Sequence, residues 1–389
     1  MNVLFLEPWH GGSHRRFADG LAAHTRHDVR TVTMAARSWT WRMQGGAVTL
    51  AEKAREASAG GWLPDLIVAT DMVNLPAFLA LTRDRFARVP VLFYLHENQL
   101  TYPQRDPGAP RDLTYAFINI LSMMAADRVV FNSQFHHDEF FSALPDLLRR
   151  FPDYTHVGHL PGLLAKSSVL HLGVDLAVLD AAAPDAQARR AREPGPPVVL
   201  WNHRWEYDKD PEAFFRVVNR LDDIGARFRL ILAGETFAEL PPAFEAGFRR
   251  YADRVLHYGF AESLADYAAL LWRSDIVVST SRHEFFGLSM LEAIHCGCHP
   301  LLPDRLTYPE LVPAPLHRPL LHAPVLYDSE DDLFATLRRL LDGADLPLPP
   351  DVLKRIPADL AWPVHVERFD ALFEEMGDGG NGQRAPATG

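Results

Sequence analysis

The amino-acid sequence alternates short apolar runs with longer stretches whose apolar residues recur at helical spacing, and few folds accommodate that alternation. In the first half the runs are N-V-L-F-L-E, V-R-T-V-T-M, D-L-I-V-A-T, V-P-V-L-F-Y-L and D-R-V-V-F-N-S. Most are apolar throughout, so they have to be buried on both faces. That is the pattern of a parallel sheet covered by helices on either side. The runs close in polar turns, G-G-S-H, H-E-N-Q and N-S-Q-F among them. The second half restarts the pattern with P-V-V-L-W-N-H-R, R-F-R-L-I-L-A-G, V-L-H-Y-G, D-I-V-V-S-T-S, H-P-L-L-P and A-P-V-L-Y. No internal repeat relates the halves. The expected fold class is α/β: two doubly wound, Rossmann-like parallel-sheet domains in tandem, facing a central cleft.

A chain of 389 residues is too long for one ordinary domain. With 48% hydrophobic and 23% charged residues it carries enough apolar surface for two cores. The expected boundaries are an N-terminal domain over 1–180, an Ala-, Arg- and Pro-rich linker over 181–197, and a second domain over 198–362. An amphipathic helix over 363–376 then packs back, and the Gly-rich tail 377–389 is expected to be disordered. No apolar run is long enough to span a bilayer. The opening M-N-V-L-F-L-E-P-W reads as a strand without a basic leader, not as a signal peptide. Cys296 and Cys298 are too close along the chain for a relaxed disulfide. These features point to the cytoplasm.

The stretch R-H-E-F-F-G-L-S-M-L-E, Arg282 to Glu292, carries the most chemistry. Glu284 falls in the loop at a strand's carboxyl end, where open α/β sheets bind ligands. Glu292 falls about two turns into the helix that follows. The amino-terminus of that helix offers N–H groups and a positive dipole end to a phosphate. A separation of about 5 Å, as an acid and nucleophile of a retaining hydrolase need, does not suit one loop and one helix position. Arg204 and Lys209, in W-N-H-R-W-E-Y-D-K-D-P, follow the second domain's first strand. A planar fork and a point charge suit a diphosphate, and a solvated basic pair is the alternative. Lys209 stands out because the chain has only Lys53, Lys166 and Lys354 besides.

In the first half, Gly11 and Gly12 let backbone approach a ligand closely, or simply make a tight turn. His96, with Glu97 and Asn98, ends an apolar strand. It either caps that strand or hydrogen-bonds a donor sugar or acceptor, with Glu97 and Asn98 shaping the pocket on the acceptor side. His295, Cys296, Cys298 and His299 are too cramped for a tetrahedral zinc site and read as buried side chains, so no metal is expected.

A net charge of -11 argues against a surface coated with nucleic-acid contacts, although a local basic face is compatible with it. Between Ser13 and Arg42 the charges are Arg15, Arg16, Arg26, Arg30, Arg37 and Arg42 against only Asp19 and Asp28. A-A-R-S-W-T-W-R-M interleaves Arg37 and Arg42 with Trp39 and Trp41, a pattern suited to single-stranded RNA. Tryptophans anchoring an irregular loop give the same pattern.

R-W-E-Y-D-K followed by E-F-F-G-L-S-M-L-E resembles the retaining, GT-B-fold glycosyltransferases of family 4. More narrowly, E-P-W-H-G-G-S-H, S-W-T-W-R, F-Y-L-H-E-N-Q-L-T-Y-P, V-V-F-N-S, H-R-W-E-Y-D-K-D-P-E and H-E-F-F-G together resemble the tRNA-queuosine α-mannosyltransferase family. The resemblance covers nearly the whole chain apart from the linker and tail. It implies GDP-mannose as donor and, as acceptor, queuosine in the anticodon loop of tRNA-Asp, without cofactor or metal. By position, Arg204 and Lys209 would neutralise the departing diphosphate. Glu284 would bind mannose with the backbone of Phe286, Gly287 and Leu288, and Glu292 would bind the ribose. Gly12 and Ser13 would close over the phosphates. Front-side displacement with retention would leave the acceptor's proton on phosphate. Two alternatives are a related transferase with a small-molecule or lipid acceptor, and a non-catalytic RNA- or nucleotide-binding protein on the same scaffold.

Overall fold

The computed structural model describes residues 1–106, 108, 110–184, 195–235 and 240–382. The chain forms two compact units, one made of Met1–Gly173 with Trp362–Gly389 and the other of Val174–Ala361. In the first, strands β1 (Asn2–His10), β2 (Asp28–Ala35), β3 (Leu66–Thr70), β4 (Val91–Leu95), β5 (Arg128–Phe131) and β6 (Ser167–Val169) make a sheet of order β2-β1-β3-β4-β5-β6. Every pairing is parallel. In the second, β7 (Val198–Trp201), β8 (Arg229–Ala233), β9 (Val255–Gly259), β10 (Ile276–Val278), β11 (His299–Pro303) and β12 (Leu326–Tyr327) run in the order β12-β11-β10-β7-β8-β9, again all parallel. The S-S-V of β6 adds a strand that its short, polar sequence does not announce.

This topology fixes where ligands can bind. In each sheet the chain winds outward on one side of a strand, then returns and winds out on the other. The strand order therefore reverses between β1 and β3 in the first unit and between β7 and β10 in the second. Diverging connections at such a point leave a crevice beyond the carboxyl ends of the strands. The loops after β1, β7 and β10 are the ones that carry Gly12, Lys209 and Glu284.

Each unit has its own core. Strands β3 and β4 are buried along their whole length, as the uninterrupted runs L-I-V-A-T and V-L-F-Y-L require. Helix α1 (Gly12–His24) buries Phe17 and Leu21, and α2 (Trp39–Ala57) buries Met43, Ala47, Leu50 and Ala54 at helical spacing. In the second unit, α3 (Pro211–Asp223) is capped by the Asp210 side chain, which accepts from Ala213 N, and buries Phe214, Val217, Val218 and Leu221. Helix α4 (Leu264–Arg273) starts from a Ser263 cap, and α5 (Leu288–His295) starts from Gly287 at φ 83°. No helix among the described residues is long and apolar enough to cross a membrane.

Two boundaries differ from expectation. The first unit ends at Gly173, not 180, because Leu176–Ala181 is a helix of the second unit. It is held there by Val174 N donating to Leu360 O and by Trp272 Nε1 donating to Leu179 O. Residues 185–194 of the expected 181–197 linker lie outside the described residues. The last helix runs Trp362–Gly382 instead of stopping at 376, so the expected disorder from 377 onward is corrected as far as Gly382. An established helix gains one bond per added residue, which lets it run on into poor helix formers. Residues 383–389 of that tail lie outside the described residues.

The return of this helix to the first unit depends on Trp362, which is 1% exposed. Arg26 pairs with Glu367, Asp370 and Glu374 along it. A Cβ on Gly20 would lie 2.1 Å from the Trp362 ring, and one on Gly173 2.2 Å away. Both glycines are therefore required by close approach. We predict that Gly20→Ala and Gly173→Ala each destabilise by about 1–3 kcal/mol in urea unfolding. Gly158→Ala, where the added carbon meets nothing, should stay within about 0.5 kcal/mol.

Candidate active site

The loops after β7 and β10 are stapled together by backbone and side chain alike. Asp208 O accepts from Arg282 N at 2.8 Å and His283 N at 3.3 Å, while Thr280 Oγ1 donates to Lys209 O at 2.9 Å. Arg282 Nε donates to Asp210 Oδ2 at 2.6 Å. At the centre lies Lys209, only 6% exposed. Its Nζ donates to His283 O at 2.7 Å and sits 3.2 Å from Glu284 Oε2 and 3.1 Å from Asp208 Oδ2.

A buried ammonium survives only if it is paired and hydrogen-bonded. Burial pulls the Lys209 pKa down, but Glu284 and Asp208 outweigh it and hold the amine above its ordinary value. Burial likewise pushes Glu284 up, yet Lys209, with lesser help from His203 and His283, brings its carboxyl down to about 2. The same lysine, after burial itself, drives His203 to about 3 and His283 to about 4. At neutral pH the pocket thus contains a fixed cation, the ionised Glu284 and two uncharged imidazoles, with the Asp208 side chain beside them. Arg204 is exposed, with Nη1 3.6 Å from Glu206 Oε1. Its charge is near enough to oppose that of Lys209.

The second carboxylate of the motif is set differently. Glu292 lies on α5, 4% exposed, and accepts from Tyr267 Oη at 3.0 Å. Asn202 Nδ2 in turn donates to that tyrosine oxygen at 3.0 Å and to Ser289 O at 3.1 Å. Gly287 takes the left-handed φ that begins α5, so the peptides of Phe286, Gly287 and Leu288 turn at the helix start beside Glu284. Structure therefore brings Lys209, Glu284 and this turn together. It adds Asp208, Asn202 and Tyr267, which the sequence reading missed. A carboxylate adjacent to a scarce lysine was a usable signal for Asp208. Nothing in the spacing of α4 aims Tyr267.

In the first unit, Gly12 (φ 53°) and Ser13 are exposed at the start of α1, and Arg15 pairs with Asp19 on its surface. His96 is buried, with its backbone N–H on Asp71 Oδ1 at 2.8 Å and its ring 4.0 Å from that of His14. Glu97 accepts from Gln99 Nε2. Two expected acceptor contacts are corrected. Asn98 is fully buried and spends its side chain on its own turn, accepting from Leu100 N and Thr101 N and donating to Thr101 Oγ1. Arg42 is 8% exposed and donates twice to Ala35 O, because α2 begins at Trp39 and turns this position inward. Arg37, Trp39 and Trp41 do stay exposed, and Trp39 meets the Tyr115 ring edge-on at 4.8 Å. His295 pairs with Asp180, and Cys298 donates to Leu271 O and Ser274 O.

Comparison with known proteins follows the same division. Residues 2–174 match the tRNA-queuosine alpha-mannosyltransferase N-terminal family, and residues 184–323 match glycosyl transferases group 1. The tRNA-queuosine alpha-mannosyltransferase of Drosophila melanogaster is 32% identical over 316 residues, covering 80% of this chain and 82% of that protein. The chain belongs to the tRNA-queuosine alpha-mannosyltransferase family. As a member of that family it is a glycosyltransferase, a hexosyl-transferring enzyme. Its fold is GT-B, like sucrose-phosphate synthase from Thermosynechococcus elongatus, with TM-score 0.68 at 18% identity over 97% of this chain and all of that one. Anabaena HepE in complex with UDP-glucose is also similar, with TM-score 0.65 at 17% identity over 97% of this chain and 100% of that one. In this family member the motif glutamate and lysine form one buried pair.

The pair has a pH signature. The folded Glu284 carboxyl lies below its ordinary 4.5, so its contribution is complete above that value and is lost as pH falls toward about 2. Glu284→Gln should destabilise by roughly 2 kcal/mol at neutral pH, with the deficit shrinking as the pH is lowered through 4. Urea titrations of both proteins across that range measure it.

Proposed function

We propose that this enzyme transfers mannose from GDP-mannose, with retention, to a cyclopentene hydroxyl of queuosine in the anticodon loop of tRNA-Asp, working in the cytoplasm. The observation that carries the donor half is the Lys209–Glu284–Asp208 staple at the strand-order reversal of the second unit. Lys209 and Arg204 meet the diphosphate, assisted by the peptides at the start of α5. Glu284 accepts hydrogen bonds from mannose hydroxyls, and Glu292, braced by Tyr267, from the ribose. Gly12 and Ser13 approach the phosphates through backbone, and His96 hydrogen-bonds the donor sugar or the acceptor.

In the proposed step the bond from mannose C1 to the β-phosphate oxygen breaks while a bond from C1 to the queuosine hydroxyl forms on the same face. The hydroxyl proton passes to the departing phosphate oxygen. No metal is invoked, because the two basic side chains and the helix terminus carry the charge that develops there. Glu284 is a poor proton acceptor, since its carboxyl sits at about 2, and the phosphate is the stronger base. That low value supports the phosphate as the base.

The acceptor half draws on family membership and on the exposed Arg37, Trp39 and Trp41, to which Tyr115 adds a third ring. Unstacked bases of a loop pack on such aromatic faces, each stack contributing about 1–3 kcal/mol. The deciding experiment incubates the enzyme with a panel of nucleotide sugars and queuosine-containing tRNA, then digests the tRNA for nucleoside mass spectrometry. A hexose increment on queuosine from GDP-mannose alone is expected. Transfer from another donor, or to no nucleoside, rejects the reading.

Two variants separate the halves. Trp41→Ala should raise the KM for tRNA about tenfold while slow hydrolysis of the donor is unchanged. Tyr267→Phe removes one hydrogen bond from Glu292 and should weaken GDP binding roughly fivefold by calorimetry, with tRNA affinity unaltered.

A further inference from the structure

We propose that Glu7 and His14 are positioning residues for His96: Glu7 fixes the His14 ring, and His14, packed ring against ring on His96, presents the His96 imidazole to a hydroxyl-bearing substrate. This rests on the reading that His96 touches the sugar or the acceptor. The three side chains come from separate elements of the first sheet and its first helix. Glu7 lies on β1, His14 in the first turn of α1, and His96 just past β4.

All three are buried, at 0%, 5% and 6% exposure. His14 Nδ1 lies 3.3 Å from both Glu7 oxygens, and Trp9 N also donates to Glu7 Oε1 at 2.8 Å, which holds the carboxylate still. The His14 and His96 ring centroids are 4.0 Å apart and tilted by 36°. Phe17 and Tyr94 close on His96 edge-on, each at 5.0 Å. Neither ring nitrogen of His96 has a hydrogen-bond partner among the described residues. A buried imidazole so completely framed, with both polar atoms unused, fits a group kept ready for a ligand hydroxyl.

The charge environment agrees. Burial alone would depress His14, but Glu7, aided by Asp71 and Glu97, reverses this and lifts it to about 9. Burial, then the charge of His14, then His136, drive His96 well below its ordinary range. Asp71, whose carboxyl accepts the His96 N–H, is itself raised to about 7 by burial and by Glu97 and Glu7, against the opposing pull of His14. The groups facing the pair are thus Glu7 from β1, Asp71 beyond β3, Tyr94 and Glu97 from β4 and its loop, and His136 from the helix after β5. A charged His14 beside an uncharged His96 is the arrangement they sustain. His96 can then donate from one nitrogen and accept at the other.

The same three residues are also the one group of three His, Cys, Asp or Glu side chains among the described residues close enough to ligate an ion. Ring geometry disfavours that role. Two imidazoles on one tetrahedral ion keep their centroids roughly 5 Å apart, each ring edge-on to the metal. Here the ring centroids are only 4.0 Å apart, and Glu7 and His14 bond each other directly.

The test uses full-length wild type, Glu7→Gln, His14→Gln and His96→Ala. Ring-nitrogen NMR follows the histidines, and transfer kinetics on tRNA run from pH 6 to 10. In Glu7→Gln the His14 titration should fall from about 9 toward neutrality. Its kcat should fall about tenfold or more, the alkaline limb of the pH profile should move down with it, and the GDP-mannose KM should change less than about threefold. His14→Gln should show the same loss of kcat if Glu7→Gln fails to fold. Unaltered kcat and pH profile in both variants, with His96→Ala inactive, would overturn the proposal. A fully active His96→Ala overturns the role of His96 itself, and the NMR shift in Glu7→Gln still reports whether the pair exists. Stoichiometric metal in the wild type by elemental analysis, lost in His14→Gln, would overturn it in favour of a metal site.

Discussion

The buried ammonium of Lys209 is the constraint on which the second unit's chemistry depends. It cannot sit in that crevice without carboxylates, and Asp208 and Glu284 supply them from two different loops. Those loops follow β7 and β10, the two strands between which the sheet reverses its order. One lysine therefore ties the two sides of the crevice to each other. The main-chain bonds from Arg282 and His283 to Asp208 make that tie rigid. A site held this way is organised before any ligand arrives, which is how electrostatic catalysis avoids reorganising at the moment of reaction.

The first unit repeats the principle with different chemistry. There the reversal falls between β1 and β3, and the charge buried beside it is an imidazolium held by Glu7. Both clusters place a cation and its carboxylate partner where diverging loops open the crevice. Both also leave neutral imidazoles beside that cation: His203 and His283 around Lys209, and His96 beside His14. Low dielectric makes such pairs strong and makes an unpaired member costly. Their side chains are correspondingly well fixed.

Much of this was legible in the sequence, for identifiable reasons. Apolar runs such as L-I-V-A-T and V-L-F-Y-L have one burial solution, so the strands and the doubly wound class followed from them. The E-F-F-G turn announced itself because Gly287 is needed at positive φ to start α5. The polar residues were harder. Arg42 sits five residues from Arg37 in a basic, tryptophan-rich stretch, and only the helix phase set by Trp39 turns it inward. Asn98 reads as a pocket residue until its side chain is seen closing its own turn. Tyr267 and Asn202 reach Glu292 through the tertiary fold, a relation that linear spacing does not encode. Glu7 falls within E-P-W-H-G-G-S-H, but its pairing with His14 depends on how α1 leaves β1.

On the proposed reading Lys209, held by two loops, is the group that recognises the diphosphate. Calorimetric titration of GDP and of guanosine into the wild type and Lys209→Met tests it most directly. GDP affinity should fall about tenfold or more in Lys209→Met with guanosine binding unchanged, since guanosine carries no phosphate. Equal affinity of the two proteins for GDP, with Lys209→Met folded, would contradict it.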